Sequence, residues 1–359
     1  MKVVLRDIDE AALVLACELF VSGAKTDTIR QAVNEELTRL NCHYTVTREQ
    51  VYQLLAFGQE RRYFTFTPPE RLALQTRVAN AFELPQSCVH VANSSAIDQV
   101  AATAAALVVD LILKLGEKHP VVHIGLGGGY TSRLVTYHLA TQLRAIRTVD
   151  DLPKLVLHAL STGFDPECPH TAPVTFFGFF EGIASPIEYF GLFASPVVKT
   201  AQYADTLVEL EACYKAARED LHLVITSLGS ASHTHGDFVK FMKEGTAGPK
   251  SNKVEEGKDR LAFLKERGWV GDILFRPYSA EGPITEDTDI RAVTLLELDE
   301  LREMANSKDK HVVVVAGPCR ICAKTRGDAV LPLFREPKLR LWSHFVMDMG
   351  TAEHLLQAH

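Results

Sequence analysis

The chain has 359 residues, 47% hydrophobic and 23% charged, with a formal net charge of -7. That length and balance allow two globular domains, and the acidic total excludes a protein that coats nucleic acid along its whole surface. Seven cysteines at irregular spacing form no disulfide framework, which predicts a reducing, cytoplasmic setting.

The N-terminus, MKVVLRDIDEAAL, places acidic residues where a signal peptide needs an unbroken apolar run. Residues 8 to 67 read as a small helical unit. Ala11 to Phe20 is apolar and periodic and stops at Ser22-Gly23, and Thr26-Asp27 caps a second helix through Leu37 or Leu40. Thr47, with Gln50 three residues on, is a capping box for a third helix. Val51, Leu54 and Leu55 give that helix its apolar face and leave Arg48, Gln50, Tyr52 and Gln53 outward. Tyr63-Phe64-Thr65-Phe66 alternates like a short strand. Three helices and a strand outline a winged helix-turn-helix with residues 47–58 as recognition helix, and Arg, Gln and Tyr reach base edges and phosphates. A helical dimerisation or protein-contact module fits the same pattern. Thr67-Pro68-Pro69 ends the unit and sets the domain boundary, giving 1–67 and 68–359.

Beyond the boundary, a helix is predicted over Arg71–Phe82 and a short strand over Val89–Val91. Ser94-Ser95 caps a long helix from Ala96 to Gly116, whose Asp98, Gln99, Asp110 and Lys114 make it a poor membrane span. Then comes VVHIGLGGGYTSRLVTYHLA, residues 121–140: an apolar strand, a turn with Gly125, Gly127, Gly128 and Gly129, and a helix opened by Thr131-Ser132. Strand, glycine turn and helix aim backbone N–H groups at an anion, although a tight turn without ligand has the same pattern. The spacing is not a clean G-x-G-x-x-G, so a phosphate fits better than a dinucleotide.

Further strands are expected at Leu155–Leu160, Val174–Phe176, Gly191–Phe193, Leu221–Thr226, Val270–Phe275, His311–Ala316 and Leu339–Val346. Helices are expected at Thr206–Asp220, Glu297–Ala305, Arg326–Phe334 and Thr351–Gln357, with a polar loop over Thr246–Lys258. This alternation predicts an α/β, Rossmann-like parallel sheet covered on both faces. Small or polar residues end several strands, at 125–132, Ser161-Thr162-Gly163, Ser227–Ser230, Gly271-Asp272 and Ala316-Gly317, which favours one crevice for a small polar or phosphorylated ligand.

Cys319-Arg-Ile-Cys322 lacks a second CxxC or a spaced His pair, and His233-Thr-His235 is a weak pattern alone, so no metal is expected. Gly245-Thr-Ala-Gly-Pro-Lys250-Ser251 has proline where a P-loop needs glycine, and no nucleophile elbow is present.

From Val121 onward the order of motifs resembles the SorC family of sugar-responsive transcriptional regulators, which includes the deoxyribonucleoside and central-glycolytic-gene regulators. The resemblance is carried by GLGGGYTSRL, LSTG at 160–163, TSLGS at 226–230, RGWVGDILFRPYSAEG at 267–282, VVVVAGPCRICAKTRGDAVLPLF at 312–334 and LWSHFVMDMGTAEHLL at 341–356. TREQVYQLLAFGQERRYF resembles the family's recognition helix, after a longer preceding segment. The resemblance implies an effector domain related to sugar-phosphate isomerases that binds a phosphorylated sugar without turning it over. Gly128, Gly129, Tyr130, Thr131 and Arg133 would hold phosphate, Thr162 and Gly163 would line the pocket, Asp272 would accept from hydroxyls, and Lys324 would pair with a second anion or cap a helix. It implies operator DNA as partner, contacted through Thr47, Arg48, Gln50, Tyr52 and Gln53, in a homodimer or homotetramer with no cofactor, no metal, no membrane and no catalysis. An isomerase-type enzyme, or an effector-binding protein without DNA contact, is the alternative.

Overall fold

In the computed structural model, which describes residues 8–61, 63–64, 70–146, 152–163, 168–211, 215, 220–233, 235–245, 254–285 and 288–359, contacts divide the chain into two units. The units are Met1–Thr67 and Pro68–His359.

In the first unit, Asp9 accepts from the Ala11 N–H at 2.9 Å and so starts α1 (Glu10–Val21). α2 (Thr26–Arg39) buries Ile29, Val33 and Leu37, spaced four apart on one face. α3 (Arg48–Glu60) opens on a reciprocal capping box, Gln50 N–H to Thr47 Oγ1 and Thr47 N–H to Gln50 Oε1, at 3.3 and 2.8 Å. The long connection between α2 and α3 is tied down by Asn34. Its side chain donates to Val46 O at 3.1 Å and accepts the Val46 N–H at 2.7 Å, seating Val46 in the core. α1 and α3 approach closely at Gly58, where a Cβ would stand 2.2 Å from Cys17 Sγ. Tyr63 and Phe64 pack on this core. Thr65 and Phe66 of the expected wing, and Thr67-Pro68-Pro69, lie outside the described residues.

The second unit begins with α4 (Leu72–Ala81), β1 (Val89–Val91), α5 (Ile97–Gly116), β2 (Val121–Leu126) and α6 (Tyr130–Ala145). The strands that follow are β3 (Lys154–Ala159), β4 (Ile187–Phe190), β5 (Val197–Lys199), β6 (Leu223–Ser230), β7 (Trp269–Ile273), β8 (Arg276–Ser279), β9 (Ile290–Ala292), β10 (His311–Ala316) and β11 (His344–Met347). Seven of them run parallel in the order β1-β11-β10-β6-β2-β3-β4. The expected Rossmann-like α/β sheet is thus present.

Both faces are covered, which explains why the strands read as continuous apolar runs. Along β10, Val313 and Val315 pack with α5 and α6, while Val312 and Val314 pack with α4 and the helices Gly327–Arg335 and Met349–Ala358. α5 is long and apolar enough to cross a membrane, yet its Val100, Ala104, Val108, Leu111 and Leu115 are buried against the sheet.

Several expectations need correction. Val174–Phe176 is not a strand but part of a 3-10 helix, Pro173–Phe180, because Pro173 presets a helical start and Thr175 bonds back to Ala172 O. The strand here is β4 (Ile187–Phe190), and Gly191–Phe193 follows it outside the named strands. Val270–Phe275 is not a parallel strand. β7 runs antiparallel to β6 and turns straight back into β8 through Leu274 and Phe275, both at positive φ, +48° and +59°. Ser94 accepts from the Ala96 N–H, but the N-cap of α5 is Ala96, with no side-chain cap. The last strand starts at His344, after a 3-10 turn at Pro337–Leu339. Of Thr206–Asp220, a helix covers Tyr203–Glu209, and 212–214 and 216–219 are outside the described residues. Of the loop at Thr246–Lys258, 246–253 are outside, and a helix, Val254–Glu266, takes the rest.

Candidate functional site

A cavity of about 460 Å³ opens beyond the carboxyl ends of β2, β6 and β10, the place where open α/β sheets bind ligands. Its walls include Gly128–Thr131, Thr226–Ser230, Asp272, Leu274, Phe275, Cys319–Ile321 and Arg326.

The β2–α6 turn supplies its floor. Gly127 lies tight on β6, where a Cβ would stand 2.6 Å from Thr226 Oγ1. Gly129 is the N-cap of α6 at φ +102°, so neither Thr131 nor Ser132 caps the helix. The Gly129 N–H is committed to Thr171 O at 2.9 Å. The first bond of the helix is Arg133 N–H to Gly129 O, so the N–H groups of Tyr130, Thr131 and Ser132 have no partner within the helix. An anion at this end meets those three amides and the positive end of the dipole.

Opposite them stand the buried Asp272 and the half-buried Arg326. Asp272, on the hairpin strand β7, lies over Gly229, where a Cβ would be 2.1 Å from its Oδ1. Burial, offset in part by the Arg326 guanidinium, pushes its carboxyl up to about 7. Arg326 donates through Nη1 to Leu228 O, while its Nε is buried without a partner among the described residues. Arg320 adds a third charge at the rim, its guanidinium 4.3 Å from the Tyr130 ring centroid. The cavity thus presents helix amides, the cations Arg320, Arg326 and Lys240, and the carboxyl groups of Asp237 and Asp272, the latter titrating near neutrality, which suits a small, anionic, hydroxyl-bearing ligand.

Another polar cluster shares this wall. His235 Nε2 lies 2.9 Å from Cys319 Sγ, and donor atoms of His233, Cys319 and Cys322 lie within 4.8 Å of one another. Burial raises the Cys319 thiol, but the Cys322 N–H, His235 and the Ile321 N–H outweigh it and bring it down to about 7. The two sequence motifs that were set aside separately are therefore neighbours.

Neither a protein-family model nor a curated protein sequence matches the chain. The likeness lies in structure. The full-length sorbitol operon regulator SorC from Klebsiella pneumoniae superposes with a TM-score of 0.60 at 16% identity, covering 98% of this chain and 100% of that one. The fold is that of the SorC regulator. A DeoR family transcriptional regulator from Listeria monocytogenes matches at a TM-score of 0.52 and 16% identity over 79% of this chain and 98% of that one. A transcriptional regulator from Streptococcus pneumoniae TIGR4 matches at 0.53 and 14% over 80% and 96%.

On this SorC fold the residues singled out from sequence separate into groups. Gly128, Gly129, Tyr130, Thr131 and Asp272 line the cavity together. Arg133 does not line it; its guanidinium lies over the Phe179 ring at 5.4 Å. Thr162 is 5% exposed with its hydroxyl unpartnered among the described residues, and Gly163 packs on Ala172; neither lines the cavity. Lys324 is exposed and outside the lining. The cations that do line the cavity are Arg326, Arg320 and Lys240, none of which sequence reading singled out. In the first unit, Arg48, Tyr52 and Gln53 are exposed on one side of α3, whereas Thr47 and Gln50 are engaged with each other as the cap.

Proposed function

We propose that this chain is a DNA-binding transcriptional regulator switched by a phosphorylated sugar or related metabolite. The observation that carries the reading is a SorC fold whose cavity joins a helix N-terminus, the half-buried Arg326 and the buried Asp272 at the strand ends. Phosphate is placed at the amides of Tyr130, Thr131 and Ser132, with Thr131 as a side-chain donor, while Asp272 accepts from sugar hydroxyls. The exposed Arg48, Tyr52 and Gln53 of α3 face operator DNA. A two-fold operator requires a dimer or tetramer, assembled through the second unit, and the ligand biases which arrangement is populated.

The test screens phosphosugars by thermal shift and follows the best one into a DNA-shift titration over salt. A ligand at 100 times its Kd stabilises by about 2.7 kcal/mol, and DNA affinity should fall steeply with salt and change when the ligand is added. A chain that ignores upstream DNA from its own locus at low salt, with and without ligand, overturns the regulator. A second reading, isomerase-type turnover, is favoured by a single observation, the Asp272 carboxyl held near neutrality as a general base would be. Conversion of the bound phosphosugar would establish it.

A further inference from the structure

The loop after β6 carries His233 and His235, and the loop after the adjacent strand β10 carries Cys319 and Cys322. Two features shape the second loop. The Cys319 N–H donates to Lys324 O at 2.9 Å, and the Ala323 N–H returns to Cys319 O at 2.8 Å with Ala323 at φ +55°. The closed loop folds Cys322 back beside Cys319. His233 is 4% exposed, and its Nε2 is buried with no hydrogen-bond partner among the described residues. A buried polar atom without a partner is costly, and here it points to a ligand.

We propose that His233, Cys319 and Cys322, completed by His235, bind one zinc ion. Thiolate and imidazole donors select zinc over magnesium or calcium. The three core donor atoms lie within 4.8 Å of one another, and a tetrahedron with zinc's bond lengths needs separations of about 3.3–3.8 Å, so a small inward movement closes the set. His235, its Nε2 2.9 Å from Cys319 Sγ and its ring stacked on that of His233 at 5.8 Å, is the nearest further donor and must swing inward to take the fourth corner. Charge also balances: two thiolates neutralise the ion, and the neighbouring cations Arg326 and Lys324 meet no net positive centre. Each thiol that binds gives its proton to solvent, with no change of oxidation state. The ion would clip together two loops on adjacent strands that both wall the cavity, since Cys319 and His235 are part of its lining. This holds whether or not the cavity takes a phosphosugar.

The full chain, reduced and stripped with a chelator, is dialysed against zinc and its bound metal counted. About one zinc per chain is expected, against under a tenth of that for Cys322→Ser and for His233→Ala, and at least tenfold weaker binding for His235→Ala. Cobalt loaded into the unmutated protein should give the thiolate-to-metal band and visible spectrum of a four-coordinate site, a readout independent of whether a variant folds. No zinc in the reconstituted protein, unchanged zinc in Cys322→Ser and His233→Ala, or a cobalt spectrum without thiolate ligation overturns the proposal.

Discussion

At the scale of single residues, the cavity depends on a few atoms that have no substitute. Gly129 holds φ +102° at the start of α6, and a valine there would be strained by about 1–3 kcal/mol and would crowd the anion. Gly129→Val should therefore abolish measurable binding of the best phosphosugar in calorimetry, whereas Thr131→Ala, which removes one hydrogen bond, should weaken it by about 0.5–1.5 kcal/mol. Arg326→Met should cost far more affinity than Lys324→Ala, because only the arginine lines the cavity. Equal losses from the two would place the anion elsewhere. Asp272 supplies the pH dependence. Hydroxyl donors favour its ionised form, so affinity should rise by roughly threefold to tenfold from pH 6 to pH 8. Asp272→Asn should remove that component and leave only the titration of the ligand's own phosphate. In the unliganded protein the sign reverses. A carboxyl group whose folded pKa is raised to about 7 contributes stability at low pH that is lost as pH rises through 7. The glycine turn and Asp272 were legible as motifs. Arg326 was not, since nothing in AKTRGD distinguishes a cavity-lining arginine from the solvated lysine two positions before it.

At the scale of elements, strands buried on both faces were the most legible, because VVVV in β10 allows little else. The β7–β8 hairpin was hidden, since its turn uses Leu274 and Phe275 where a two-residue hairpin turn normally announces itself with Asn or Gly. That matters for the site, as the hairpin carries Asp272 and both turn residues line the cavity. In the first unit the capping box of α3 was fully written in Thr47 and Gln50, whose side chains bond each other. In the proposed reading the exposed Arg48, Tyr52 and Gln53 make the DNA contact. Arg48→Ala and Gln53→Ala should each weaken specific DNA by about 1–3 kcal/mol if they meet bases, or flatten the salt slope if they meet phosphate, without loss of helicity. Asn34→Ala should behave differently. Its two bonds to Val46 orient α3, so its loss should destabilise the unit by about 1–3 kcal/mol and weaken all DNA alike. Circular dichroism melts beside the binding isotherms separate the two cases.

At the scale of the molecule, a row of histidines crosses the sheet. Rings of His90 and His344, His344 and His311, and His222, His123 and His158 succeed one another at centroid spacings from 5.2 to 6.0 Å. Burial first, and neighbouring imidazoles second, lower His158, His222 and His344 to about 4. Their neutral forms are thus favoured by folding, and that stability is present above the usual imidazole range and lost as pH falls toward 4. The slope should approach about 1.4 kcal/mol per pH unit for each imidazole that protonates only on unfolding, with less from the half-buried His222. Denaturant midpoints between pH 7 and pH 4 should therefore drop steeply, and a flat profile would contradict the row.

The sheet order carries a consequence for how the protein is made. β11 is inserted between β1 and β10, with Val89 opposite Phe345, so a strand from the start of the second unit waits for one near residue 345 before it can pair. During synthesis the apolar edge of β10 stays open until that late strand arrives, a long-range closure that is slow and prone to aggregation. Nascent chains arrested before residue 344 should remain bound to chaperones, and release should coincide with emergence of β11 from the ribosome. A variant with a weakened β11 would then be lost to quality control before its affinity for any ligand mattered.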